Sequence, residues 1–161
     1  MNQEDKNIYF DKVQKELKSL RKKLKSISAW KTEIEVITQK LNAYKSGGFP
    51  FVSTSNATIT IDDILARDET RINILESNIE YTNFKLNEYK PYLELLDDNE
   101  YEVINRKYLA IENKRVSYEK IGEDMHYSNT TVKKWHDSAI TKIASYKYED
   151  TDWMLDVINS L

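Results

Sequence analysis

Apolar side chains recur in alternating steps of three and four along most of residues 1–96. The first series comprises Phe10, Val13, Leu17, Leu20, Leu24, Ile27, Ile34, Ile37, Leu41 and Tyr44. The second comprises Ile61, Leu65, Ile72, Leu75, Ile79, Leu86, Tyr89, Leu93 and Leu96, with interruptions at Asp68 and Thr82. This spacing is typical of a coiled-coil seam, so it predicts two long helices of roughly 30 residues each.

A break at residues 46–60 separates the two series. Helical periodicity is interrupted there by Gly47, Gly48 and Pro50. Thr60 ends the break and can cap the second helix, whose first turn is acidic. We therefore predict an all-α fold that begins with a long helical hairpin over residues 1–96, whose helices pair within one chain or between chains. Pro91 lies inside the second series and should kink or restart that helix near residues 89–90.

Three shorter amphipathic segments follow between Asn99 and Ile143. Ser117 and Ser128 each stand where a short helix should begin, because a serine hydroxyl can accept a hydrogen bond from a first-turn N–H. The apolar positions of the last two segments form one stripe per helix: Ile121, Met125, Val132, Ala139, Ile140 and Ile143. Two short helices joined by a tight turn indicate a helix-turn-helix, which we assign to a domain at residues 97–148.

The start of the last predicted helix carries side chains that suit a recognition helix. Outside the apolar stripe lie Asn129, Thr130, Thr131, Lys133 and Lys134. A recognition helix presents such residues to base edges and phosphates from its N-terminal turns. We predict DNA contacts by these five, with Thr131 touching a phosphate or capping the helix, and a phosphate near the free N–H groups at Ser128.

Other positions have two interpretations each. Trp135 either packs or makes a phosphate-side contact, and His136 is expected to pack on the face of Val132. Arg106 and Lys107 are further candidates for phosphate contact, with an ordinary surface role as the alternative. Ser117, at the start of the first helix of the motif, completes the predicted DNA-binding set.

Residues Glu100 to Ile143 resemble region 4 of sigma-70-type factors. The whole chain resembles phage transcriptional regulators of the ArpU and RinA kind, which carry such a region at their C-terminus. The matching positions are Glu100, Val103, Ile104, Arg106, Lys107, Tyr108, Ser117, Tyr118, Glu119, Ile121, Gly122, Ser128, Thr131, Val132, Ala139, Ile140 and Ile143.

Departures from the family pattern lie in and after the turn. The family usually has glycine where this chain has His126, so we expect His126 to adopt a left-handed backbone. His136 occupies a usually apolar position, and Trp135 a usually basic one. Nothing in the chain resembles the promoter-melting region of a sigma factor. The resemblance therefore implies a regulator that uses the DNA-reading module, in contact with host RNA polymerase, and not a complete sigma factor.

Composition reduces the number of possible functional classes. The 161 residues include no cysteine, which excludes disulfides and thiolate metal sites. The only two histidines lie ten positions apart without evident further ligands, and no glycine-rich phosphate loop follows a strand. We therefore expect no enzyme, no metal and no cofactor. The polar N-terminus and the absence of a long apolar run argue against a signal peptide or a membrane span, so we expect a cytoplasmic protein, in the host cell if phage-encoded.

Charge is unevenly distributed along the chain, although the formal net charge is only −3. Residues 101–148 hold nine basic and six acidic side chains, whereas residues 46–100 hold four and eleven. The predicted reading domain is thus locally basic in an acidic protein, as expected for a DNA partner. The tail, residues 149–161, is acidic and amphipathic and suits docking on a core or on another protein.

The leading interpretation is a sequence-specific DNA-binding regulator that acts as a homodimer or higher homo-oligomer on double-stranded DNA, as an activator at phage late promoters. One alternative is a phage DNA-packaging component similar to a small terminase subunit, which also joins a helix-turn-helix to an oligomerising coiled coil. Those proteins usually place the DNA-binding part first, whereas this chain places it last. Another alternative is a scaffold whose helix-turn-helix no longer binds DNA.

Overall fold

The computed structural model describes residues 3–47, 60–112 and 116–149, and within these ranges it contains helices and no strand. The helices are α1 (Gln3–Lys45), α2 (Ile61–Leu93), α3 (Asp98–Ile104), α4 (Tyr118–Met125) and α5 (Asn129–Ala144). A π-helical turn follows α3 at Asn105–Leu109, and another follows α5 at Ser145–Glu149. The predicted all-α class is confirmed. Most of the predicted loop at 46–60 and the predicted acidic tail beyond residue 149 lie outside the described residues.

Contacts divide the chain into two compact units. One unit contains Lys25–Phe84, and the other joins Met1–Leu24 to Lys85–Leu161. The division falls inside α1 and inside α2, and not at the boundary between residues 96 and 97 that the sequence pattern suggests. The beginning of α1 therefore belongs with the C-terminal helices.

In the unit at residues 25–84, α1 and α2 run antiparallel and are joined by ion pairs. The Lys40 ammonium lies 2.9 Å from the Asp68 carboxylate. Arg71 donates to both carboxylate oxygens of Glu33, at 2.7 and 3.1 Å. Lys40 follows Glu33 along α1, whereas its partner Asp68 precedes Arg71 along α2. The two helices therefore run in opposite directions.

Two polar positions of α2 do not interrupt the seam, contrary to prediction. Asp68 and Thr82 are buried like Leu75 and continue the same stripe. Each of the two side chains has a polar or charged partner. Asp68 pairs with Lys40, and the Thr82 hydroxyl donates to the Asn78 carbonyl at 2.8 Å. A buried polar side chain with a partner can occupy a seam position, which periodicity of apolar residues alone does not reveal.

The second long helix does not restart at Pro91. The helix continues through this residue and ends at Leu93, where Pro91 occupies an exposed place in the last turn. The chain then leaves the helix through a bonded turn, in which the Glu94 N–H donates to the Lys90 carbonyl at 3.1 Å. The predicted restart near residues 89–90 is therefore wrong, because α2 continues past Pro91 and ends at Leu93.

A half-buried carboxylate connects the beginning of α1 to the end of α2 and to the last π-helical turn. Glu16 accepts hydrogen bonds from Tyr89 at the end of α2 and from Lys147 and Tyr148 in the last π-helical turn. The Tyr148 ring also stacks on Tyr9 with 5.0 Å between centroids. Burial opposes ionisation of Glu16, but these donors outweigh it and lower its pKa.

The three short helices share a small apolar core. Val103 of α3, Ile121 of α4 and Val132 of α5 are fully buried together. Partly buried side chains surround them: Val116, Tyr118, Met125 and Trp135. One buried residue from each helix meets at the centre, so the orientation of α5 depends on both α3 and α4.

Candidate nucleic-acid interface

Both predicted helix caps are present. The Ser117 hydroxyl accepts a hydrogen bond from the Lys120 N–H at 3.2 Å at the start of α4. The Ser128 hydroxyl accepts one from the Thr131 N–H at 3.2 Å at the start of α5. Ser128 and Thr131 also hydrogen-bond through their hydroxyl groups at 2.9 Å. Thr131 therefore takes part in the cap, which was one of its two predicted roles.

The turn between α4 and α5 is tight. His126 lies in the left-handed region, with φ 63° and ψ 39°, as predicted. The Tyr127 N–H then donates to the Gly122 carbonyl at 2.8 Å. A Cβ atom on Gly122 would lie 2.5 Å from the Tyr127 carbonyl oxygen. The absence of a side chain at Gly122 therefore permits this close approach.

Helix α5 has a buried face and an exposed face. The buried face consists of Val132, His136, Ala139, Ile140, Ile143 and Ala144. Four of the predicted contact residues are exposed at the opposite face of the first two turns: Asn129, Thr130, Lys133 and Lys134. The exposed cap Ser128 lies beside them, and Thr131 is half-buried. The structure thus brings the predicted recognition residues together on one surface.

Trp135 lies beside this surface and packs inward. Its side chain is half-buried against the Val103, Ile121 and Val132 cluster. Its ring meets the Tyr127 ring edge-on, with 4.7 Å between centroids. Of its two predicted roles, packing is observed, and a phosphate contact stays a prediction. The indole supports the turn that precedes α5.

His136 is a packed histidine that connects α5 to α4 and to the π-helical turn after α3. It is fully buried, and its Nε2 lies 2.8 Å from the Tyr108 hydroxyl. Its Nδ1 lies 3.1 Å from the Tyr118 hydroxyl and 2.9 Å from an Asp137 carboxylate oxygen. Because a carboxylate only accepts, Asp137 favours the proton on Nδ1 and leaves Nε2 to accept from Tyr108. Burial lowers the pKa of His136 despite the nearby Asp137, so the imidazole is neutral at pH 7.

Glu100 makes a second polar connection, between α3 and α5, which the sequence did not reveal. Its buried carboxylate accepts from the Asp97 N–H at 3.1 Å, completing a capping box at the start of α3. It also accepts from the Ser138 hydroxyl at 2.6 Å and the Lys142 ammonium at 2.7 Å, both on α5. The capping box is readable from the Asp97 and Glu100 spacing, but the α5 donors lie too far along the chain to be inferred.

Arg106 and Lys107 lie in the π-helical turn after α3 and contact groups near α4. The Arg106 guanidinium pairs with Glu102 and lies 3.5 Å from an Asp124 oxygen. The Lys107 ammonium lies 4.1 Å from the centroid of the Tyr118 ring. Arg106 and Lys107 thus each contact α3 or α4, and their phosphate contacts stay predictions.

The described residues offer little for other kinds of site. In residues 3–47, 60–112 and 116–149, no group of three histidine, aspartate or glutamate side chains is arranged to hold a metal ion. None of the helices in these ranges is both long and apolar enough to cross a membrane.

Comparison with known proteins gave no match to any protein-family model, curated protein or solved structure. The candidate interface is therefore defined by its own geometry: a capped helix, a tight turn before it, and an exposed polar and basic row on its first two turns.

Proposed function

We propose that this chain is a sequence-specific DNA-binding protein that reads the major groove with α5. The exposed row formed by Asn129, Thr130, Lys133 and Lys134 carries the proposal. An asparagine amide can form a bidentate pair with adenine, and a lysine can donate to guanine or to a phosphate. The first turn of α5 contains no acidic residue that would repel the duplex.

The dimensions of α5 suit this role. Its 16 residues span about 24 Å, so the first two turns can enter a groove while the later turns stay packed on α3 and α4. The tight turn at Gly122 and the buried His136 fix the angle at which α5 leaves the domain. A fixed angle matters because base readout requires that donors reach base edges within hydrogen-bonding distance.

Within this class we propose a transcriptional regulator. The resemblance to sigma-70 region 4 supports this narrower proposal, and it favours a phage late-gene activator that works at a promoter with host RNA polymerase. The module that reads DNA would be shared with sigma factors, while the rest of the chain would set the partner and the oligomeric state.

We also propose that the protein works as a homodimer. In the described part of the unit at residues 25–84, the only buried apolar side chains are Leu41 and Leu75. Ile74, Tyr81 and Phe84 of α2 are 48%, 50% and 56% exposed. Two helices with so little buried apolar area gain stability by packing on a second copy, and two copies double the number of half-sites read.

The test is binding of the purified chain to a library of DNA duplexes at about physiological salt. A variant carrying Asn129→Ala, Lys133→Ala and Lys134→Ala removes the exposed row. The matched control carries Asn87→Ala, Lys15→Ala and Lys90→Ala, which removes the same side-chain types at exposed positions elsewhere. Circular dichroism checks that all three proteins are folded.

We expect the wild type and the control to enrich one motif, and the row variant to lose it. Each lost base contact should cost about 1–3 kcal/mol of discrimination. The spacing of two half-sites in the motif, together with the mass in solution, would report the oligomeric state. Equal enrichment by the row variant, or no enrichment by the wild type, would rule out α5 as a recognition helix.

A further inference from the structure

Asp137 lies on the same face of α5 as the exposed row. It follows Lys133 by four residues and Lys134 by three, and side chains at these spacings are neighbours on the surface of a helix. The Asp137 side chain is 45% exposed, whereas the side chain of the preceding His136 is fully buried. The proposed reading surface therefore continues into the third turn of α5 with a carboxylate.

One oxygen of this carboxylate is held from inside the domain. Asp137 Oδ1 lies 2.9 Å from His136 Nδ1, which donates because a carboxylate can only accept. The imidazole is fixed in its turn by the hydroxyl groups of Tyr108 and Tyr118, which lie 2.8 Å from Nε2 and 3.1 Å from Nδ1. A side chain that is oriented by a buried partner has little freedom left to lose when it binds a ligand.

The second oxygen, Oδ2, has no such partner inside the protein. Within residues 3–47, 60–112 and 116–149, the only side chain that hydrogen-bonds the Asp137 carboxylate is His136. Lys133 and Lys134 form no ion pair with it in these ranges, although they are its neighbours on the helix. The carboxylate therefore presents one oriented, half-exposed acceptor beside the row.

A major groove offers few donors to such an acceptor. Cytosine presents its N4 amino group there, whereas guanine presents the acceptors N7 and O6, and thymine presents the acceptor O4 and a methyl group. Adenine has an N6 amino group, but the acceptor N7 lies next to it. Phosphates are anionic and repel a carboxylate. An aspartate that faces the groove therefore favours cytosine and disfavours the other bases.

We propose that Asp137 is a specificity-determining residue whose Oδ2 accepts a hydrogen bond from the N4 amino group of a cytosine, with His136 as its positioning residue. This inference deepens the proposed function and rests on it, because the cytosine belongs to the duplex that α5 reads. Asp137 lies about 4.5 Å further along α5 than Lys134. Bases on one strand are about 3.4 Å apart, so the cytosine is expected within about two base pairs of the position that Lys134 reaches.

The test repeats the selection from the duplex library with Asp137→Asn. Asparagine keeps Oδ1 as the acceptor for His136 but replaces Oδ2 by an amino group, which cannot accept from cytosine. We expect the wild-type motif to contain one G·C pair, favoured about tenfold over the other pairs, for which Asp137→Asn has no preference. The other positions of the motif should stay unchanged.

Two further variants complete the design. Asp98→Asn makes the same chemical change at an exposed position in the first turn of α3, and we expect it to enrich the wild-type motif. Asp137→Ala removes both carboxylate oxygens with a gain in helix propensity, and it should lose the same preference as Asp137→Asn. Circular dichroism checks that each variant is folded.

Different results separate this inference from the proposed function. A wild type that enriches no motif overturns both. A wild type that enriches a motif which both Asp137 variants retain in full overturns this inference alone, and leaves Asp137 only as the partner of His136. An equal change of affinity on all duplexes, with an unchanged motif, would assign the carboxylate to repulsion of the backbone and would also overturn it. Loss of preference at a position that is not a G·C pair in the wild-type motif would contradict the contact with cytosine.

Discussion

Replacing Gly122 by alanine should destabilise the domain, although the same change usually stabilises a helix. Within a helix, alanine is favoured over glycine by about 1 kcal/mol. At this position, however, the new Cβ would lie 2.5 Å from the Tyr127 carbonyl oxygen and 3.5 Å from the Asn129 nitrogen. The first distance is shorter than any ordinary contact, so the turn has to move away from α4.

The turn has little freedom to move. The Tyr127 N–H is bonded to the Gly122 carbonyl at 2.8 Å, and His126 already occupies the left-handed region. Overpacking against backbone costs about 1–3 kcal/mol, and weakening one hydrogen bond adds about 1 kcal/mol. After the gain in helix propensity is subtracted, we expect Gly122→Ala to lower the free energy of unfolding by about 2 kcal/mol.

Urea unfolding followed by circular dichroism measures this change. The control is Asn87→Ala at an exposed position of α2, which should be neutral or slightly stabilising because nothing opposes the propensity gain. DNA affinity of Gly122→Ala, corrected for the folded fraction, should also fall because α5 is displaced. A Gly122→Ala protein as stable as the wild type, or more stable, would show that the turn accommodates a side chain and would refute the reasoning.

Three further predictions concern polar groups that are buried (His136 and Glu100) or half-buried (Glu16). Burial lowers the pKa of His136 in the folded protein, so the unfolded chain binds a proton at this residue first as pH falls below about 6.5. The free energy of unfolding of the wild type should therefore decrease as pH falls toward the folded pKa, and it should decrease less in His136→Gln. Urea titrations between pH 5 and 8 measure both. Glu100→Gln keeps the shape but cannot neutralise Lys142, so it should cost about 1–3 kcal/mol of unfolding free energy, whereas the exposed Glu119→Gln should cost almost nothing. The pKa of Glu16 is depressed, so its stabilisation is present above about pH 4.5 and lost below it, and Glu16→Gln should flatten that acid limb of the stability profile.

Local signals were sufficient for the elements of the candidate interface. Ser117 and Ser128 cap helices with donors three residues away. The exposed and buried faces of α5 follow from a period of 3.6 residues. In each case the partners lie within one or two turns, so the sequence contains the whole interaction.

Connections between distant residues were not predictable in the same way. Glu100 and Asp68 are buried carboxylates whose partners lie tens of residues away, and periodicity marks such positions only as breaks in an apolar pattern. The grouping of residues 1–24 with residues 85–161 also depends on long-range contacts. Lys18 of α1 and Lys107 in the turn after α3 line the same groove, although no local pattern relates them.

The contacts of Glu16 also have a consequence for the order of folding during synthesis. Its donors lie 73, 131 and 132 positions further along the chain. A ribosome adds about 5–20 residues per second, so the start of α1 emerges seconds before Lys147 and Tyr148 exist. The segment at residues 25–84 can pair its two helices earlier, whereas Glu16 has to wait for two of its three donors. Folding of the unit that contains Glu16 is therefore completed only after residue 148 has been made.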